Sequence, residues 1–475
     1  MGTLMKNSTS FSSLSLIDLS LPGTHDSISY DLSLTISKGS IEDHEALSHL
    51  LRRFSMLYPG EIEEFIRLQA KSQQLDIRQQ LDNGIRFIDF RIMFERDRGE
   101  GNQDDWYCIH FSQSNLLSIH YLQTVRDWLE LHPHEIVVIW LSRRGSTDDI
   151  GNDAYPDVSF QEKQRFWKSY TELFDELLFD TSQSNYLTTP LDTLIKKNHR
   201  LITFVSDYTS FTNDSQFAYD ARAIDNYFQE DGVFDEVNNI RRQRHYFQHL
   251  EYRHSNGDEK WFNLMSMNTP CPPWQINAAA SKRFSPFNVN MKIGKWFKSC
   301  ESKTKIPGNH FCPETLLDIA QLSNYYNQIT IEETYVNYAE EEGNNTIGFS
   351  QGSKPLFPNA FYIDAIDVGG TIRTGTQLLI GIDHKNALEE HKFSAYAFTD
   401  TIIAYNINTA CKASKKKRTE KTLTSDASCS SLLSFIESRR SYHPFVLWKE
   451  PFYGRLEGWP SLSLDLEEII SNTKK

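Results

Sequence analysis

The run Ile136-Val-Val-Ile-Trp-Leu141 constrains this chain more than any other feature. It has no polar alternation, so a strand formed at Glu135–Leu141 is apolar on both faces and must be covered on both. Such strands belong to parallel sheets flanked by helices, and the neighbouring segments fit that pattern. Ser15–Leu21 reads as a buried strand entering a turn at Pro22-Gly23. In Arg86–Ile92, Ile88, Phe90 and Ile92 share one face and Phe87, Asp89 and Arg91 the other. Asp105–His110, Arg200–Ser206, Trp261–Met267 and Ala360–Val368 read as further strands. Between them, Asp43–Ala70 is helical with a break at Pro59-Gly60, and Ile119–Leu131 is helical up to Pro133. Ser159 and Glu162 form a capping box before a helix expected to run to about Phe179.

This alternation predicts an α/β fold: an irregular (β/α)8 TIM-type barrel with long insertions at Gln113–Leu117, Ser206–Asp258 and Pro270–Ser302. Residues 1–13 are expected to be flexible and 14–412 to form the barrel. Residues 413–431, with the basic run Lys415–Arg418, read as a linker, and 432–475 as an appendage packing back on the barrel. The 475 residues include 30 Phe, 21 Tyr and 9 Trp, ample for a large core. A net charge of −14 argues against nucleic acid as a partner. The six cysteines, scattered without a CxxC, argue against a disulfide framework or a zinc ribbon. No apolar run is long enough to span a bilayer and no leader is visible, so a soluble or peripheral, cytoplasmic monomer is expected. His245 and His249 have helical metal-ligand spacing but no acidic partner inside the motif, and read as a solvated face.

In such a barrel the chemistry lies where strands end at the C-terminal rim. The polar residues there are His25 and Asp26, Asp89 and Arg91, His110, Ser142 and Arg143, Asp207, and Asp364 with Asp367 as its alternative. Two imidazoles can serve as base and acid near neutral pH. An arginine offers a two-pronged contact to a phosphate oxyanion. Carboxylates beside each histidine can set its tautomer and stabilise the imidazolium. The set suits phosphoryl transfer to a hydroxyl.

Three blocks carry a family resemblance: Leu21-Pro-Gly-Thr-His-Asp-Ser27, Gly84-Ile-Arg-Phe-Ile-Asp-Phe-Arg91, and the strand-end His110. In order and spacing they resemble the X domain of phosphatidylinositol-specific phospholipase C, most closely over residues 14–145 and more weakly to Val368. The resemblance implies that His25 is the general base for the inositol 2-hydroxyl and that Arg91 stabilises the phosphate. It implies that His110, helped by Asp26, protonates the leaving diacylglycerol, and that Asp364 orients His25. Asp89 would hold Arg91 or share the acid network. Arg143 and Asp207 are candidate substrate contacts on rim position alone, and Asp207 fits a turn acid as well.

Calcium-dependent members have Asn, Glu and Asp where this chain has Asp26, Asp89 and Arg91. The resemblance is therefore to the metal-independent, bacterial-type enzymes, and no metal or cofactor is expected. A phosphatidylinositol-bearing membrane surface is the expected partner. The alternatives are a metal-dependent glycerophosphodiester phosphodiesterase-like barrel, which Arg91 opposes, and a lipid-binding pseudoenzyme, which the joint presence of both histidines and the arginine opposes.

Overall fold

A computed structural model describes residues 13–37, 58–95, 105–142, 158–213, 215–227, 262–268 and 357–365. It also describes the helical runs 242–247 and 249–250, the strand pairs 371–372 with 391–392 and 447–450 with 453–455, and scattered positions elsewhere between 52 and 410. The strands that position the site are β1 (Leu21–Thr24), β2 (Leu32–Ile36), β3 (Phe87–Glu95), β4 (Asp105–His110), β5 (Ser112–Leu117) and β6 (Val137–Ser142). They continue with β7 (Leu201–Val205), β8 (Tyr219–Asp220), β9 (Ile224–Tyr227), β10 (Phe262–Ser266) and β11 (Ala360–Ile363). The helices are α1 (Glu61–Ala70), α2 (Ile77–Asp82), α3 (Ser118–Leu131), α4 (Phe160–Phe174), α5 (Leu191–Lys196) and α6 (Tyr208–Thr212).

Parallel pairing runs β8-β7-β6-β3-β1-β11-β10-β9. β11, the last strand of the ring in sequence, thus returns beside the first, as a barrel requires. The ring stays open at one seam, between β8 and β9, where a one-turn 3-10 helix at Ala221–Ala223 replaces a ladder. Phe87, Trp140, Phe204, Phe262 and Tyr362 fill the barrel interior. Ile88, Phe90, Val137, Ile139 and Leu141 face outward onto Leu122, Val125 and Leu129 of α3 and Phe166, Tyr170 and Phe174 of α4. The predicted face split of Arg86–Ile92 is therefore present, and Asp89 and Arg91 share the inner face with Phe87.

Several expectations need correction. Ser15–Leu21 is a short 3-10 turn over Leu16–Asp18, and the strand lies one step on, through Pro22-Gly23. Pro22 is tolerated in a central strand because its nitrogen faces β3 before that ladder begins at Gly23–Phe87. Gly23 is required there: a Cβ would stand 2.5 Å from the Phe361 carbonyl oxygen and 3.0 Å from Phe87 Cβ. Asp105–His110 is a strand, but it pairs antiparallel with the far half of β3 rather than joining the parallel ring. The expected insertion Gln113–Leu117 lies within β5, which pairs with β4 and β2. The expected insertion Ser206–Asp258 contains two barrel strands, β8 and β9. The Ser159 capping box is present, with Ser159 Oγ accepting from Glu162 N, but α4 stops at Phe174, before Asp175 at φ 39°.

His245 and His249 lie on a helical stretch and are exposed, as a solvated face requires. Residues 1–12 and 413–431 lie outside the described residues, as does 432–475 apart from the strand pair at 447–450 and 453–455. No helix among the described residues is long and apolar enough to cross a membrane.

Candidate active site

The ends of β1, β3, β4 and β11 converge on one buried cluster. β11 ends at Ile363, which places Asp364 beside His25 at the end of the paired β1. His25 Nδ1 donates to Asp364 Oδ1 at 2.6 Å. With Asp364 ionised, that bond puts the proton of the neutral imidazole on Nδ1 and leaves a lone pair on Nε2. Asn268 Nδ2 approaches Nε2 at 3.4 Å, consistent with this tautomer. Tyr362, two residues before Asp364 and so on the same strand face, stacks on His25 with ring centroids 5.3 Å apart.

Asp26 is the hub. Its Oδ1 is 2.6 Å from Arg91 Nε, and its Oδ2 is 3.1 Å from His110 Nδ1 and 3.3 Å from His25 Nε2. Neither oxygen is aligned for a hydrogen bond, so these contacts are electrostatic. Asp89, fully buried, accepts from Arg91 Nε at 3.0 Å and from the Asp26 amide at 3.1 Å, with Arg91 Nη2 also 2.9 Å from the same oxygen. His110 Nδ1 donates to the Ala70 carbonyl at 2.6 Å, which leaves its Nε2 without a protein partner among the described residues. The two imidazoles lie edge to face with centroids 5.9 Å apart.

Backbone conformation marks the same places. Asp26 itself (φ 44°), Phe111 after His110 (φ 59°) and Ala365 after Asp364 (φ 47°) are all left-handed. Alanine and phenylalanine rarely adopt that region, and such positions persist only where surrounding structure holds them.

Burial dominates the electrostatics. It pushes His25 down to about 4, with the Asp26 carboxylate opposing the shift. It pushes His110 down to about 4 as well, with Arg91 adding to the effect. It raises Asp364 to about 7, and it raises Asp26 against the pull of Arg91. Burial works against the charge on Arg91, but Asp26 and Asp89 outweigh it and its pKa rises. With its pKa raised, the guanidinium stays charged.

His25, Asp26 and Asp89 offer ligand atoms within 4.8 Å of one another, a spacing that a metal ion could use. The same two carboxylates are already paired with Arg91, and a divalent ion among them would sit against the guanidinium. The donor set therefore fits a protein-supplied cation better than a bound one.

The six expected residues His25, Asp26, Asp89, Arg91, His110 and Asp364 thus meet in one place. Asp207 takes Lys163 Nζ at 2.6 Å and stands in a left-handed position just before α6, with no side-chain bond to the helix, which fits its turn-acid reading. Arg143 and Asp367 lie outside the described residues. Residue types alone did not single out Tyr362, Asn268, Ser72 or Gln73. For Tyr362 the signal was its two-residue offset from Asp364; for the others the sequence carried none.

A barrel of this topology with a paired-histidine rim defines a class, and sequence comparison narrows it. The family model described as PI-PLC X 1 matches residues 65–241. The PI-PLC X domain-containing protein 1 of Homo sapiens is 32% identical over 121 residues, covering 26% of this chain and 35% of the relative. Its Danio rerio counterpart is 32% identical over 128 residues, covering 27% and 38%. Among solved structures, the phosphatidylinositol-specific phospholipase C from Listeria monocytogenes is 17% identical with a TM-score of 0.35, covering 60% of this chain and 86% of that one. An enzyme of the same name from Staphylococcus aureus is 12% identical with a TM-score of 0.39, covering 74% and 88%. These structural likenesses are too distant to carry weight, and the barrel rests on its own strand order. Over residues 65–241 the chain is similar to the PI-PLC X family. The matched stretch spans only about a third of the curated human relative, 35% of its length.

Proposed function

We propose that this protein cleaves the phosphodiester of phosphatidylinositol, or of a glycosylated form of it, by attack of the inositol 2-hydroxyl, with no divalent metal. His25 Nε2 takes the proton from that hydroxyl, and Asp364 carries the positive charge that develops on the ring. The 2-oxygen bonds to phosphorus as the bond to the glycerol oxygen breaks. His110 gives its proton to that leaving oxygen, and Arg91 stabilises the charge on the non-bridging oxygens. The products are diacylglycerol and inositol 1,2-cyclic phosphate.

The empty-handed His110 is neutral at pH 7 by its depressed pKa. A phosphodiester anion entering the site favours imidazolium and arms the acid when substrate is present. Asp26 beside His110 Nδ1 acts in the same direction. The observation that carries the reading is the pair of buried imidazoles 5.9 Å apart, each held at Nδ1 and sharing one Arg91–Asp26 ion pair. Substrate presented at a membrane surface makes the contact peripheral. The test is diacylglycerol release from phosphatidylinositol vesicles beside phosphatidylcholine vesicles. Release from the inositol lipid alone is expected, because only it carries the internal nucleophile; equal release from both, or none from either, overturns the reading.

A further inference from the structure

The segment Ala70–Gln73, which joins α1 to the N-cap of α2 at Asp76, carries no ionisable group except the half-buried Lys71. It nevertheless touches three of the four strand ends that form the site. Ala70 O accepts the Nδ1 proton of His110 at 2.6 Å. Gln73 Nε2 donates to the carbonyls of both His25 and Ile363 at 2.9 Å, spanning the ends of β1 and β11. Ser72 Oγ donates to His25 O at 3.1 Å, and Ser72 O accepts from Ala365 N at 2.6 Å. Ser29 ties the segment back to the β1 loop: its Oγ bonds Ser72 Oγ at 2.7 Å and accepts from the amides of Ser72 and Gln73 at 3.1 Å. Ser29, Ser72 and Gln73 are all buried.

These bonds fall next to the left-handed positions. The pinned His25 carbonyl precedes Asp26, and the pinned Ala365 amide belongs to a left-handed alanine. A backbone held in a sparsely populated conformation needs such over-determination. The Gln73 amide has only one orientation that serves two carbonyl acceptors, with its NH2 toward them. Its Oε1 is then buried without a partner, so the group is placed for what it holds and not for its own satisfaction.

We infer that Ala70–Gln73 is the positioning segment of the active site: Gln73 and Ser72 lock the His25–Asp364 pair across β1 and β11, and the Ala70 carbonyl fixes the His110 tautomer with Nε2 free to act. This rests on the two-imidazole reading for its effect on rate, but its structural part can be read without any substrate. Nitrogen-15 NMR of the histidine rings in the unmodified protein at neutral pH shows both His25 and His110 protonated on Nδ1. Either ring found with its proton on Nε2 overturns the inference.

Gln73→Leu removes the double donor while keeping a side chain of similar size. It lowers kcat by about 10²-fold with KM little changed, as a displaced catalytic group does. It also shifts the His25 Nδ1–H resonance. Gln73→Glu restores part of kcat at low pH, where the protonated carboxyl can donate one bond, and loses it as that carboxyl ionises. Ser72→Ala, which keeps Gln73, gives the same changes at smaller size and covers the case in which Gln73→Leu does not fold. A folded Gln73→Leu protein with unchanged kcat and an unchanged His25 resonance contradicts the assignment. A wild type without activity but with both Nδ1 protons in place contradicts the proposed function instead and leaves the segment's structural role standing.

Discussion

The two imidazoles of the site are supported in opposite ways. His25 sits at the end of a parallel barrel strand, and its Nδ1 meets a carboxyl raised to about 7 by burial. His110 sits on an antiparallel strand that folds back over the rim, and its Nδ1 meets a backbone carbonyl, which cannot titrate. Both rings are pushed down to about 4 by burial. One is thus coupled to a second ionisable group and the other is clamped by a neutral one. The difference matches a division of labour in which the base must accept and stabilise a charge and the acid needs only to be aimed.

The largest effects should come from breaking the coupled side. His25→Ala and Asp364→Asn each lower kcat/KM by on the order of 10⁴-fold, the second because the asparagine can set a tautomer but cannot balance an imidazolium. Steady-state kinetics on dispersed phosphatidylinositol measures this, and an Asp364→Asn variant with near-parent activity removes the coupling from the account. His110→Ala loses about 10²–10⁴-fold on the natural substrate. It recovers with an inositol phosphodiester whose leaving group departs without a proton, such as a nitrophenyl ester. His25→Ala does not recover on that substrate. Equal rescue of both variants would mean that the roles are not divided as stated. Arg91→Lys costs about 10²–10³-fold, because a point ammonium does not reproduce the two-pronged contact.

The pH dependence sharpens the same contrast. Asp364 must be ionised for His25 to hold its proton on Nδ1 and accept another at Nε2. kcat, read in the complex where bound substrate keeps His110 protonated, therefore rises with pH through about 7, and Asp364→Asn abolishes that limb. Stability runs the other way for this group. A carboxyl raised above its ordinary 3.8 keeps a proton that the unfolded chain releases, so its contribution is lost as pH rises toward 7. The histidines, lowered from 6.5, contribute stability that is lost as pH falls below that value. A smaller effect tests the frame that carries His25: Gly23→Ala should cost about 1–3 kcal/mol in denaturant unfolding, since the new methyl meets backbone on β11 that cannot step aside.

What could be read in advance follows the same divide. The barrel side was legible because its signals are local. The unbroken apolar run of β6 demands two covered faces, the alternation of β3 puts Asp89 and Arg91 inward, and the block from Leu21 to Ser27 places His25 and Asp26 at a strand end. His110 was legible as a residue but not in its setting, because antiparallel pairing with the far half of β3 depends on strand length and not on residue type. β8 and β9 were hidden because strands of two and four residues at an open seam carry too few side chains to show a period. The left-handed positions at Asp26, Phe111 and Ala365 were hidden for another reason. Aspartate tolerates that region, but alanine and phenylalanine give no sign of it, and tertiary hydrogen bonds impose it. Ala70–Gln73 was invisible for the same cause: its work is done by backbone groups and an uncharged amide.

Phosphorus NMR of phosphatidylinositol vesicles incubated with the protein in excess chelator tests the central claim, that two imidazoles and a built-in guanidinium cleave the lipid through its own 2-hydroxyl. The account predicts that an inositol 1,2-cyclic phosphate resonance appears first, at a rate that added calcium or magnesium does not change. A first product that is the acyclic phosphate, or no product until a divalent ion is supplied, would contradict it and assign His25, Asp26 and Asp89 to a metal instead.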